Sequence, residues 1–198
     1  MNAKELIARR VALELKEITL QSENGFLGLG PVTEACPNLV DAGGKPCGLR
    51  AGAAMFDSAF SFALIRGGHV DASILGGLQV DQQGNLANWM VPGKMVPGMG
   101  GAMDLVTGAR HVIIAMEHCA KDGSAKILPL CTLPLTATNC VDMIVTELAV
   151  FAFSEGALIL KEHAPGVSLE TIVEKTGARF SVASDFKEMP IQINEGAL

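Results

Sequence analysis

His111-Val112-Ile113-Ile114-Ala115-Met116 decides the fold class: after His111 the run stays apolar on both parities. A strand with one wet face alternates polar and apolar residues, whereas an unbroken run belongs to a strand covered on both faces, as in a parallel sheet flanked by helices. Working upstream, Gly98-Met99-Gly100-Gly101 leads into a short helix over 102–107, and Ala72-Ser73-Ile74-Leu75 reads as a buried strand ending in Gly76-Gly77. Residues 56–66 form a helix, with Asp57 or Ser58 near its start and Gly67-Gly68 as its stop. The stretches 36–52 and 81–98 are loop-like, rich in Gly, Pro and Asn. Ile18-Thr19-Leu20-Gln21 is a short strand that delivers Ser22 and Glu23 to its carboxyl end, followed by Gly25, Gly28 and Gly30, with Pro31 closing the turn. Residues 3–15 predict an amphipathic helix: Ala3, Ile7, Val11 and Leu15 recur every fourth residue with Leu6 beside them, and Arg9, Arg10 and Glu14 face elsewhere.

Downstream, 143–153 and 157–161 flank Ser154-Glu155-Gly156 as a β-hairpin. Ser168 caps a helix through Thr176 that Gly177 ends, 179–183 is a last strand, and about 186–198 is a frayed tail. The expectation is a single α/β domain over 1–198, an open, mostly parallel sheet with flanking helices and ligands at the carboxyl ends of strands.

Composition narrows the function. Hydrophobic residues make up 49% of the 198 and charged ones 18%, enough for a large core and too little charge for a disordered chain. Aromatics are only 5%, so the core is aliphatic. The net charge of −6, without a long basic run, argues against a nucleic-acid partner. Five cysteines without CxxC spacing suggest neither a disulfide framework nor a zinc cluster, and fit small buried thiols in a reducing cytoplasm. The first residues carry no apolar signal segment and no stretch is long and apolar enough for a membrane span, so no membrane association is expected.

Few residues offer chemistry. Glu23, in Gln21-Ser22-Glu23-Asn24-Gly25, sits at a strand end among small polar residues. A carboxylate there can attack an activated acyl group, with Asn24 orienting it and Gly25 admitting substrate to the backbone; spacing alone favours an ordinary turn glutamate. Gly98-Met99-Gly100-Gly101 offers backbone amides at a helix start, for an oxyanion or phosphate, or simply a tight turn. Lys121, past the central strand, is a point charge for an anion or a solvated loop lysine. His118 and Cys119 are neighbours on an extended chain, point to opposite faces and make no nucleophile–base pair. His69, His111 and His163 lack metal-ligand spacing, and Trp89 reads as a loop anchor packed on the core.

Taken in order, four stretches resemble the beta subunit of class I (3-oxoacid family) coenzyme A transferases, of the acetate/butyrate–acetoacetate type. They are Gln21-Ser22-Glu23-Asn24-Gly25 with 28–31; 56–58 through 65–69; 88–89 through 92–94 to 98–106; and Val145-Thr146-Glu147-Leu148-Ala149-Val150-Phe151. The resemblance spans roughly residues 3 to 185. It implies the fold shared by CoA-transferases and sugar-phosphate isomerases, a partner alpha subunit in a heterodimer or heterotetramer, and coenzyme A as substrate with no tightly bound cofactor and no metal. It implies Glu23 as nucleophile, Gly100 and Gly101 lining the acyl-CoA site with an amide that polarises the thioester carbonyl, and Lys121 near the coenzyme. The reaction implied moves CoA between an acyl-CoA and a short carboxylate or 3-oxoacid; an acyl-CoA hydrolase using the same Glu23 and a non-catalytic binding subunit are the alternatives. One departure stands out: relatives carry a glycine-rich segment of about two dozen residues before the catalytic strand, where this chain joins Lys16 directly to Glu17.

Overall fold

The computed structural model describes residues 1–15, 18–30, 38–93 and 98–191. In chain order the elements are α1 (Ala3–Ala12), β1 (Gln21–Ser22), β2 (Phe26–Gly30), β3 (Gly48–Met55), α2 (Ser58–Arg66), β4 (Ala72–Leu75), β5 (Gln79–Asp81) and β6 (Leu86–Ala87). Then follow α3 (Ala102–Gly108), β7 (His111–Ala115), β8 (Ile127–Leu128), β9 (Met143–Val145), β10 (Ala149–Ser154), β11 (Ala157–His163), α4 (Leu169–Lys175) and β12 (Ser181–Glu188).

The main sheet has six strands in the order β12-β11-β10-β9-β7-β4. β7 pairs in parallel with both β4 and β9, and β11 in parallel with β12; only β10 runs against its neighbours. This is the mostly parallel α/β sheet expected, with β7 inside it. Both parities of β7 are covered. Val112 and Ile114 pack with Val80, Leu86, Ile127, Phe151 and Ile172, while Ile113 on the opposite face packs with Val145 and Val150 under Ile7 and Val11 of α1. Two three-stranded sheets flank it, β1-β2-β3 and β6-β5-β8.

Local signals explain the helix ends. Asp57 accepts a hydrogen bond from the Phe60 N–H at 2.8 Å at the start of α2, and Ser168 accepts from the Thr171 N–H at 3.3 Å at the start of α4. Each satisfies an N–H that the first turn leaves unpaired. The hairpin turn between β10 and β11 is Glu155-Gly156, with φ of +52° and +77°, the left-handed pair that a two-residue hairpin loop requires.

Several expectations change. The glycine-rich stretch after Glu23 is the strand β2, and part of the expected loop over 36–52 is the strand β3. The expected strand over 18–21 shrinks to Gln21–Ser22 and lies in the small antiparallel sheet, not the parallel one. The run 143–153 is two antiparallel strands, β9 and β10, turning at 146–148. The tail expected to fray from about residue 186 instead continues β12 to Glu188, and Met189 is only 2% exposed; residues 192–198 lie outside the described ones, as do Pro31, Cys36 and 94–97. Arg10, expected to face away from the core, is buried. Its Nε and Nη2 donate to the two carboxylate oxygens of Glu162 on β11 at 2.6 and 3.1 Å, which satisfies a charge the helix face could not otherwise hide.

Candidate active site

Glu23 opens the three-residue loop Glu23-Asn24-Gly25 of a hairpin in which Gln21 pairs with Leu27 and Ser22 with Phe26. Gly25 makes the loop possible. Its φ is +129°, its N–H donates to the Ser22 carbonyl at 3.1 Å, and a Cβ there would fall on the Phe56 carbonyl oxygen. The Phe56 N–H donates to the Gly25 carbonyl at 2.9 Å, so the glycine admits the end of β3, not a substrate. Asn24 does not orient Glu23 in this structure: its Nδ2 donates to the Val40 carbonyl at 2.8 Å and fastens the turn to the loop bridged at Val40–Pro46. Gln21 Nε2 donates to Ser61 Oγ on α2 at 2.9 Å and fixes the other side of the hairpin. Ser22 is 4% exposed, and its Oγ has no hydrogen-bond partner among the described residues.

The structure brings Glu23 to the glycine run. A Cβ on Gly101 would stand 3.6 Å from Glu23 Cγ, and 2.6 Å from Cε1 and Cζ of Phe62. Gly101 is the N-cap of α3, and no side chain caps that end. Gly100 before it has φ +57°, which a glycine adopts without strain. Among the described residues no hydrogen bond from the Gly100 or Gly101 N–H is present. α2 and α3 hold this arrangement. Arg66 Nε donates to Asp104 Oδ1 at 2.6 Å, and the guanidinium lies 5.5 Å from the Phe62 ring centroid.

No hydrogen bond among the described residues joins Lys121 to this cluster. It is exposed at the tip of a tight turn in which the Gly123 N–H donates to the Ala120 carbonyl at 2.9 Å and the Ala120 N–H to the Ser124 carbonyl at 2.8 Å. Next to it Asp122 accepts from the Ser124 hydroxyl at 2.7 Å and the Ser124 N–H at 3.0 Å, which holds its carboxyl below the usual range. Among the described residues no group of three or more His, Cys, Asp or Glu could hold a metal ion, and no helix is long and apolar enough to cross a membrane.

Residues 3–175 match the family described as "Coenzyme A transferase". The chain belongs to the coenzyme A transferase family. It is 66% identical to an acetate CoA-transferase beta subunit of Haemophilus influenzae, across 96% of this chain and 97% of that protein. It is 65% identical to the Escherichia coli K12 protein of the same description, across 93% and 96%. One subunit of a probable succinyl-CoA:3-ketoacid coenzyme A transferase of Bacillus subtilis is 52% identical, across 84% and 78%. An acyl-CoA transferase of Escherichia coli O157:H7 superposes with a TM-score of 0.79 at 23% identity, covering all of this chain and 46% of that one. Glutaconate coenzyme A-transferase of Acidaminococcus fermentans superposes at 0.68 and 18% identity, covering 98% and 82%. These two share the fold. The Haemophilus match runs over 216 aligned positions, more than the 198 residues of this chain, so at least 18 positions of that transferase have no counterpart here.

Within this family member, His118 is structural. It is 0% exposed, with Nδ1 2.9 Å from Thr146 Oγ1 and Nε2 3.0 Å from Thr176 Oγ1. The Thr146 hydroxyl also donates to the Ala149 carbonyl at 3.0 Å and accepts from the Leu148 and Ala149 N–H groups, so the ring is held between two threonine hydroxyls whose donor and acceptor roles follow its tautomer. Burial, then the positive charges of Lys175 and Lys126, push its pKa down to about 4. Trp89, expected to pack on the core, is half-buried and donates from Nε1 to the Leu135 carbonyl at 3.2 Å, outside both described core clusters. Sequence reasoning missed Ser61 and Phe62 as neighbours of the Glu23 hairpin. Ser61 and Phe62 sit about forty positions from the hairpin, and no local pattern marks them as its neighbours.

Proposed function

We propose that this chain is the beta subunit of a CoA-transferase that moves CoA between an acyl-CoA and a short carboxylate or 3-oxoacid of the acetate/acetoacetate type. One observation carries the reading: the Glu23 side chain lies against the unsubstituted backbone of Gly101 at the start of α3. A nucleophilic carboxylate and backbone donors for an oxyanion then share one small space.

The steps follow from that geometry. A Glu23 carboxylate oxygen attacks the thioester carbonyl, the C–S bond breaks, and CoA leaves as thiolate, giving an acyl–glutamyl anhydride. The thiolate attacks the glutamyl carbonyl of the anhydride and expels the first carboxylate, leaving a glutamyl-CoA thioester. The incoming carboxylate attacks that thioester, the thiolate leaves again, and its attack on the acyl carbonyl of the new anhydride releases the product acyl-CoA and free Glu23. The Gly100 and Gly101 amides stabilise each tetrahedral oxyanion, an effect of about 3 kcal/mol for a donor of this kind. Phe62 lies beside Gly101 on the same side as Glu23, and keeping water from that space is what conservation of the thioester energy requires. Lys121, exposed on its turn, serves as a point charge for an anionic part of coenzyme A. The relatives' description as beta subunits supports an alpha-subunit partner that completes the cleft.

Co-expression with an alpha subunit, followed by a panel of acyl donors and carboxylate acceptors, tests the reading. Borohydride traps the glutamyl-CoA thioester in the active protein, and Glu23→Ala loses both trapping and exchange; full exchange by that variant refutes the assignment. Uptake of the acyl group by water in place of the added carboxylate identifies a hydrolase. A non-catalytic binding subunit has one observation in its favour, the positions missing relative to the Haemophilus transferase, and predicts CoA binding with no trapping.

A further inference from the structure

α3 is fixed unevenly along its length. Its last turn is seated: Val106 is buried, Ser73 Oγ on β4 donates to the Leu105 carbonyl at 3.3 Å, and a Cβ on Gly108 would fall on the Ile65 carbonyl oxygen of α2. Its first turn is held more lightly. Met103 is exposed and Gly101 has no side-chain cap. Among the described residues one hydrogen bond ties this turn to another element, from Arg66 Nε to Asp104 Oδ1 at 2.6 Å. Phe62 and Arg66 lie one turn apart on α2, as Gly101 and Asp104 do at the start of α3. The two pairs meet side by side. The Phe62 ring closes on the Gly101 backbone, and Arg66 reaches Asp104 while lying 5.5 Å from the Phe62 ring centroid. α2 is itself tied to the Glu23 hairpin, because Gln21 Nε2 donates to Ser61 Oγ at 2.9 Å and Ser61 is fully buried. α2 thus carries the hairpin of Glu23 through Ser61 and the start of α3 through Arg66.

We propose that Arg66 is a positioning residue for the transfer: it sets how far the Gly101 backbone stands from the Glu23 side chain. The inference rests on the transfer reading, in which both groups act on one carbonyl. Folding stability is not the task of this link. The Arg66 side chain is 63% exposed, and an ion pair that open adds little to folding. Rate is more sensitive than stability to position, since a shift of about 1 Å in a reacting group can lower it about a hundredfold. A first turn with a glycine at its head and no cap can move that far while Gly108 stays seated on Ile65. A second exposed pair of the same kind joins the residues just before β4 and β7, Arg110 Nη1 to Asp71 Oδ1 at 3.0 Å, and provides the comparison.

Arg66→Ala, Asp104→Ala, the double variant and Arg110→Ala, each co-expressed with the alpha subunit, test this. Melting temperature is read on each, with kcat and KM for acyl-CoA. The nuclear Overhauser contact between the Gly101 Hα and Glu23 Hγ protons is read in the isotope-labelled complex. Arg66→Ala and Asp104→Ala should each lose that contact and about tenfold to a hundredfold in kcat. KM should stay within about twofold, and melting should fall by no more than about 4 °C. The double variant should lose no more kcat than the worse single one, as two ends of one link do, and Arg110→Ala should keep both contact and rate. The proposal is overturned by a contact that persists in both single variants, by additive losses, or by an equal loss in Arg110→Ala. It is also overturned by a raised KM at unchanged kcat, which makes Arg66 a ligand for a phosphate of coenzyme A. Loss of the contact in the variants, with no trappable glutamyl thioester even in the wild type, upholds the hold on Gly101 and overturns the transfer reading alone.

Discussion

Replacing His118 with glutamine removes the one deeply buried imidazole beside β7 while keeping a polar group between Thr146 and Thr176. In the folded chain the His118 pKa is pushed down to about 4, against 6.5 for an ordinary histidine, chiefly by burial. The unfolded state therefore binds the proton more readily. Stability from the neutral ring is fully present above pH 6.5 and is lost as pH falls toward 4. A gap of roughly two and a half units corresponds to about 3 kcal/mol at full extent, and most of it is lost by about pH 4.5. Urea unfolding of the wild type and His118→Gln at about pH 7.5 and about pH 4.5 reads this directly. Other titrating groups shift both proteins alike, so the difference between them isolates the imidazole. The variant starts less stable at the higher pH, and the wild type should give up about 2–3 kcal/mol of its advantage on acidification. A wild-type advantage that is the same at both pH values refutes the account, as would an imidazole titration in the folded protein centred near 6.5.

Gly101→Ala should cost only about 1 kcal/mol in stability, since its φ of −83° suits alanine and the half-buried Phe62 ring can swing away, yet it should cut transfer far more, read by paired melting and exchange assays. Arg10→Met leaves Glu162 buried without its partner and should lose about 3–5 kcal/mol in denaturant unfolding, with Arg10→Met/Glu162→Leu regaining most of it; a loss under about 1 kcal/mol for the single variant contradicts the buried pair. Burial, with Asp81 adding to it, pushes the Cys131 thiol up to about 12, and burial pushes Cys140 up to about 11. At about pH 8 both should alkylate about a hundredfold or more slowly than in the urea-unfolded chain, measured by peptide mass mapping.

What the sequence revealed and what it hid divide on range. α2 and α4 were legible because Asp57, Gly67 and Ser168 act within a few residues of the ends they set. β7 was legible because burial on both faces writes an unbroken apolar run. β2 and β3 were not. Gly28 and Gly30 contribute no side chain to an alternating pattern, and the small residues Ala51, Gly52 and Ala53 in β3 signal loop as readily as strand. The site divides in the same way. Glu23 stood out by resemblance, but its meeting with Gly101 across 78 positions is a product of the tertiary fold that no local spacing records. Asn24 was read as an orienting group because it is adjacent in sequence; its amide instead found a carbonyl 16 residues on.

The pairing of Arg10 with Glu162 spans 152 residues and sets an order of events during synthesis. The ribosome releases the first helix long before β11 exists, and a hydrated guanidinium has no reason to leave water until its carboxylate arrives. α1 is thus among the last elements to lock down, and until it does one face of the growing sheet stays uncovered. A nascent chain of this design passes most of its synthesis with that face open, which is the interval when chaperones and stray partners have access to it.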